Sequence, residues 1–343
     1  MVGETMSNSM KLLSVSIAAY NVSGYIAQTL NSIVRAENVQ MVEALVVNDG
    51  STDGTLELAK AYEREYPDVV HVIDKPNGNY GSTVNAAVRV AKGKYFRLLD
   101  GDDWFDTDGF DSYLEFLAGC DADMVLTRAN LYFEADGHVE EFDYPYLPVG
   151  TVKLEDSAIT SPVPMHLSTY KTECLRKANL HLTEGCPYTD TQFNIQPLTQ
   201  VDTVACCDEL VYVYRIGRSG QSISIDSWAK NIDRATKVTF DLLEFADSVS
   251  KGDYEEYRKR LIGGFVTECA GDFYMRMLSC PASQMMKQNL QSYDKRLKAR
   301  YPRFWGKALQ GNAVARLLSK SRFTLYRPLN VAYRLYLKKR GLV

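Results

Sequence analysis

Four apolar runs, at residues 11–19, 42–47, 69–73 and 95–99, alternate with stretches of helical spacing at 25–34, 56–65 and 82–91. Continuous apolar strands separated by amphipathic helices predict a mostly parallel sheet with helices on both faces. An open sheet of this kind collects its ligands beyond the carboxyl ends of its strands. Tyr20-Asn21, Asp49 and the run Asp100-Gly101-Asp102-Asp103 all fall at such ends. Ser23 reads as the N-cap of the first helix.

The run after the fourth strand places three carboxylates within four positions. Carboxylates that close repel one another, and a divalent cation is the natural neutraliser. Oxygen ligands select a hard ion, Mg2+ or Mn2+, which keeps positions open for phosphate oxygens. Gly101 allows the sharp turn between Asp100 and Asp102. The alternative is a polar turn whose aspartates cap a helix beginning near Asp108. Neither GxGxxG after the first strand nor GxxxxGK[ST] anywhere is present, so the chain supports neither a dinucleotide-binding dehydrogenase nor a P-loop NTPase.

Charge is unevenly distributed. Residues 251–343 hold 20 Lys+Arg against 6 Asp+Glu, the remainder holds 19 against 37, and no acidic residue follows Asp294. Such segregation points to an anionic partner for the basic part. The seven cysteines include no CxxC pair, which reads as reduced thiols rather than a disulfide framework. The first residues show no signal-peptide pattern, and no apolar run is long enough for a bilayer span. A cytoplasmic protein is expected.

Further along, a helix at 110–117, a strand at 124–127 and a β-hairpin over 130–150 continue the fold. A strand at 210–215 precedes the loop 216–224, and helical spacing covers 228–249, 254–280, 282–298 and 305–340. Pro328 is expected to split the last of these into two helices. Aromatic and basic residues share that segment, which suits either an anionic membrane surface or a solvated helical cap.

The motifs Val15-Ser16-Ile17-Ala18-Ala19-Tyr20-Asn21, Val47-Asn48-Asp49-Gly50-Ser51, Asn77-Gly78-Asn79-Tyr80-Gly81 with Asn85, and Leu99-Asp100-Gly101-Asp102-Asp103 stand in the order and spacing of a known family. Over roughly 11–222 the chain resembles the inverting family 2 glycosyltransferases of the GT-A fold, of the type that builds bacterial cell-envelope polysaccharide. Ala19 departs from a proline common there. The resemblance implies a GT-A domain at 11–224 and a basic helical region at 225–343. It implies donor binding by Ala19, Tyr20, Asn21, Asp49, Asn77, Gly81, Asn85, Asp100, Gly101, Arg215, Arg218 and Ser222. Asp49 would accept from uracil, Tyr20 would flank the base, and Asp102 with Asp100 would hold Mn2+ or Mg2+, while Asp103 would support the loop. Asp190 would be the catalytic base; Thr189 replaces the glutamate that usually precedes it, so its orientation needs another source. His166 reads as structural or as a neighbour of the acceptor. The implied reaction moves a sugar from a nucleotide-diphosphate donor, UDP-linked by expectation, to a hydroxyl of a glycan or lipid-linked acceptor. The implied location is the cytoplasm, at the inner face of the membrane, with residues 295–343 touching anionic lipid and no nucleic acid bound. A sugar nucleotidyltransferase is the alternative enzyme, disfavoured because its glycine-rich loop is missing after the first strand. A nucleic-acid- or membrane-binding scaffold using the basic region is the non-catalytic alternative.

Overall fold

A computed structural model describes residues 11–144, 150–218 and 225–339, and these form two compact units. The first unit falls within 1–159, 163–185 and 196–218. It opens with β1 (Leu13–Ala19), α1 (Ile26–Val34), β2 (Val42–Asn48), α2 (Thr55–Glu65), β3 (Val70–Asp74), α3 (Asn79–Val90) and β4 (Tyr95–Asp100). The short β5 (Trp104–Phe105), α4 (Thr107–Gly119), β6 (Met124–Phe133), β7 (Val139–Glu141) and β8 (Gly150–Lys153) follow. It closes with β9 (Ser168–Lys171), α5 (Thr172–Lys177) and β10 (Thr203–Ile216).

The ten strands among the described residues share one sheet, whose main path runs β3-β2-β1-β4-β9-β6-β10-β5. The first four are parallel to one another, as the β-α alternation requires. Antiparallel β9 is wedged between β4 and β6, and β10 pairs parallel with β6. Leu13, Val15, Ile17, Val46, Leu98 and Leu99 are fully buried, the expected composition of strands covered on both faces. The hairpin expected after residue 130 is present as β6 and β7, joined around Asp136-Gly137 with Gly137 at φ +73°. The expected strand at 210–215 is the second half of a longer one, β10.

Two local expectations are corrected. Tyr25, not Ser23, precedes α1, and no side chain caps that helix. Ser23 instead donates its backbone N–H to Asp53 Oδ2 at 3.1 Å, which ties the loop after β1 to the loop after β2. Downstream of β5, Asp106 is the capping aspartate, accepting from the Gly109 N–H.

The second unit falls within 160–162, 186–195 and 219–343. It contains α6 (Asp190–Ile195), α7 (Ile225–Lys230), α8 (Ile232–Lys251), α9 (Glu256–Ser279), α10 (Gln284–Arg300), α11 (Pro302–Gly311), α12 (Ala313–Lys320) and α13 (Tyr326–Lys339). Its core is aromatic: Phe273 and Tyr274 of α9 meet Tyr293 of α10 at ring-centroid distances of 4.6 and 5.2 Å. Pro328 does not divide the last segment; it lies in the first turn of α13, where a missing N–H costs nothing. The breaks fall at Asn312, which caps α12, and at Arg322 and Phe323, two residues of positive φ. Among the described residues no helix is long and apolar enough to cross a membrane.

Candidate active site

The carboxyl ends of three adjacent strands lie level. Ala18 of β1 pairs with Asp100 of β4, and Ala19 pairs with Asn48 of β2. Everything that follows those residues therefore starts from one edge of the sheet. Asn21, at φ +52°, accepts from the Thr52 N–H at 2.8 Å and donates its own N–H to Ser51 Oγ at 3.1 Å. The first loop is thereby fastened to the second, and Tyr20 stands half exposed beside them.

Asp49 is buried at the end of β2. Its Oδ1 takes the Lys75 ammonium at 2.7 Å and the Gly78 N–H at 2.9 Å, and its carbonyl accepts from Asn77 Nδ2 at 2.9 Å. Lys75 carried no signal in the sequence; only the fold brings it to Asp49. Gly81 and Asn85 lie elsewhere on α3. A Cβ on Gly81 would stand 2.5 Å from the Thr183 carbonyl, and Asn85 bonds both the N–H and C=O of Leu182 at 2.9 Å. Both residues hold segment 182–184 against the helix.

Gly101 is required by crowding. A Cβ there would lie 2.8 Å from the Ala18 carbonyl and 3.1 Å from Val22 Cγ2. Asp103 points inward: Oδ2 accepts from the Tyr212 hydroxyl at 2.6 Å and Oδ1 from the Arg215 N–H at 2.8 Å. Burial first, then the charges of Asp100 and Asp102, push its carboxyl well above the usual range, against the pull of those two donors. Asp102 forms an ion pair with Arg218 Nε. Arg215 is itself buried. It donates to the Asp102 carbonyl at 2.9 Å and Gln28 Oε1 at 2.6 Å, pairs with Glu134, and lies 4.7 Å from the Trp104 ring centre. In this arrangement Arg215 fastens the acidic turn to α1 and β6. Ser222 lies outside the described residues.

His166 was the residue least readable in sequence. Its ring packs 4.4 Å from Tyr214 and 4.9 Å from Tyr212, and Nδ1 is buried with no hydrogen-bond partner. Burial, helped by the Arg97 charge, lowers its pKa to about 3, so the ring is neutral. Arg97 is wholly buried behind it, donating to the His166 carbonyl at 2.6 Å and to Thr127 and Thr169. One ligand atom from each of Asp100, Asp103 and His166 lies within 4.8 Å of the others. Two carboxylates beside a neutral imidazole can hold a divalent cation, and it is the carboxylates that favour Mn2+ or Mg2+. Asp102 is not in that group.

Asp190 belongs to the second unit, at the start of α6. Burial raises its pKa, while Arg276 of α9 and the N–H groups of α6 pull it down. Tyr188, at φ +67°, stacks on Trp228 with ring centres 4.1 Å apart, and Arg276 lies over the Trp228 ring at 4.8 Å. Of these three side chains, Arg276 is the one whose charge acts on Asp190. Thr189, in the glutamate's place, is fully buried.

A mixed sheet whose parallel half carries its loops beside an acidic turn, followed by a helical region, is the GT-A architecture. TarS from S. aureus, solved with UDP-GlcNAc, superposes with a TM-score of 0.66 at 18% identity, over 96% of this chain and 92% of that one. A mannosyltransferase from Pyrobaculum calidifontis, solved with GDP-Man and Mn2+, gives 0.54 at 16% identity, over 94% and 87%. Residues 14–166 match the profile of Glycosyl transferase family 2. The hyaluronan synthase of Pasteurella multocida is 40% identical over 153 residues, 44% of this chain and 15% of that protein. The glycosyltransferase MG025 homolog of Mycoplasma pneumoniae is 28% identical over 62% of this chain and 71% of its own length. Across residues 14–166 the chain is thus similar in sequence to the glycosyltransferases of family 2.

Proposed function

We propose that the protein is a metal-dependent, inverting glycosyltransferase of polysaccharide synthesis, using a UDP-sugar and a glycan or lipid-linked acceptor. The observation carrying this reading is the level edge formed by β2, β1 and β4, which gathers Asp49, Tyr20-Asn21 and Asp100–Asp103. Relatives named for hyaluronan, chondroitin and teichoic acid synthesis support the polysaccharide setting. Residues 11–224 form the catalytic domain in this reading and 225–343 the accessory region.

Asp49 orients the base, with Lys75 fixing one carboxylate oxygen so that the other faces the uracil N–H. Asp100 would be the main holder of the cation, and Asp102, now paired with Arg218, would be a second ligand. A cation held there would stabilise the negative charge of the leaving diphosphate. Arg218, released from Asp102, adds a donor for phosphate oxygens. Asp190 takes the proton of the acceptor hydroxyl as its oxygen bonds to the anomeric carbon and the bond to the diphosphate breaks on the opposite face. A carboxylate whose pKa burial has raised is the better base for that step.

Calorimetric titration with UDP, GDP, CDP and ADP, each with Mn2+ and with EDTA, tests the donor. Metal-dependent preference for UDP is expected; absence of nucleotide binding in Mn2+ would overturn the reading. Asp190→Asn should keep UDP affinity and lower turnover at least ~100-fold, and near-normal turnover removes the base assignment. Exposed Val331, Leu335 and Tyr336 beside Arg327, Lys338 and Lys339 support a membrane-surface role for α13. The double replacement Val331→Glu/Leu335→Glu should abolish flotation with anionic liposomes, and unchanged flotation refutes that role.

A further inference from the structure

Helices α10, α11 and α12 line an open cavity of about 320 Å³ that plays no part in the reaction above. Its floor is Trp305 and Leu309, and its rim carries Lys298, Arg316 and Lys320. The shape is held from beneath by one buried carboxylate. Asp294 accepts from Trp305 Nε1 at 2.9 Å, from Ser319 Oγ at 3.2 Å and from the Tyr274 hydroxyl at 2.7 Å. Four helices are pinned at that point, and two of the three donors, Trp305 and Ser319, line the cavity.

The three rim cations are not neutralised. None of them forms an ion pair among the described residues, and Asp294 is the last acidic residue of the chain. Lys298 instead lies over the Trp305 ring, 4.6 Å from its centre. Three like charges around a preformed hollow repel one another, and an anion in their midst relieves that repulsion. A phosphate group fits: it carries up to two charges, accepts bidentate bonds from a guanidinium, and tolerates ammonium groups as point charges. The aromatic and aliphatic floor suits the carbon skeleton attached to it.

We propose that this cavity is a binding site for a phosphate-bearing group, separate from the donor site. The group comes either from a soluble phosphomonoester or phosphodiester chain or from a lipid headgroup. Lys298, Arg316 and Lys320 are exposed, so replacing them leaves the core intact.

The test compares the unaltered protein, the double variant Arg316→Gln/Lys320→Gln, and Lys307→Gln, an exposed lysine of α11 that does not line the cavity. One arm titrates inorganic phosphate and glycerol 3-phosphate calorimetrically at ionic strength held constant with KCl. The other measures flotation with phosphatidylcholine vesicles, with and without phosphatidylglycerol. Binding of the soluble phosphates that the double variant weakens at least tenfold, with Lys307→Gln unchanged, supports the site and a soluble source. Binding to phosphatidylglycerol vesicles alone, with the same dependence on the variants, supports the site and a headgroup source. No binding in either arm, or equal losses from the double variant and Lys307→Gln, overturns it.

Discussion

Arg215→Met separates two roles for one residue. The sequence resemblance makes Arg215 a ligand of the donor; the structure makes it the fastener of the acidic turn. Methionine keeps the length of the stem and removes the guanidinium. Two charge-assisted hydrogen bonds disappear, to the Asp102 carbonyl and to Gln28, each contributing about 1.5 kcal/mol. The partner in the ion pair, Glu134, is 36% exposed, so solvent screens it and its loss adds less than about 1 kcal/mol. Cation–π contacts with Trp104, Tyr25 and Tyr132 add roughly 0.5 kcal/mol. The sum is a destabilisation of about 3.5–4.5 kcal/mol. Urea denaturation followed by tryptophan fluorescence, without nucleotide or metal, measures it directly. A loss below about 1 kcal/mol, accompanied by a collapse of UDP affinity, would refute the fastening role and return Arg215 to the donor.

Gly101→Ala forces a methyl group within 2.8 Å of the backbone carbonyl of a central strand, which cannot yield without moving β1. A cost of about 1–3 kcal/mol and weaker Mn2+ binding by electron paramagnetic resonance are expected. Asp100→Asn should abolish Mn2+ binding in the same assay while leaving the urea midpoint near its normal value, and undiminished binding would exclude Asp100 from the cation site. His166 has a folded pKa near 3, below the free value of about 6.5. Its contribution to stability is present above pH 6.5 and is lost as pH falls toward 3, because the unfolded chain binds the proton first. His166→Gln should therefore flatten the fall in stability between pH 6.5 and 4, and an unchanged slope counts against burial of the neutral ring. Arg276→Gln removes the cation nearest Asp190 and should move the basic-form limb of the pH–rate profile to higher pH, with kcat recovered at alkaline pH; a uniform loss at every pH would assign Arg276 a packing role only.

The amino-acid sequence alone determined the parallel half of the sheet and the residues at its edge. Alternating apolar strands and amphipathic helices are encoded by short-range periodicity, and Tyr20-Asn21, Asp49 and Asp100 fall at strand ends by simple counting. The same periodicity misplaced the cap of α1 and the break in the last helix, because Asp53 and the turn at Arg322-Phe323 compete with Ser23 and Pro328. What only the tertiary structure decided is how the acidic turn is held. Tyr212 and Arg215 reach Asp103 across more than a hundred residues, and His166 arrives through antiparallel β9, which no repeat announces. Lys75 at Asp49 and Arg276 at Asp190 belong with them. Such contacts carry no spacing in the chain; they exist because the sheet closes in one order and burial leaves each charge a single place to find its partner.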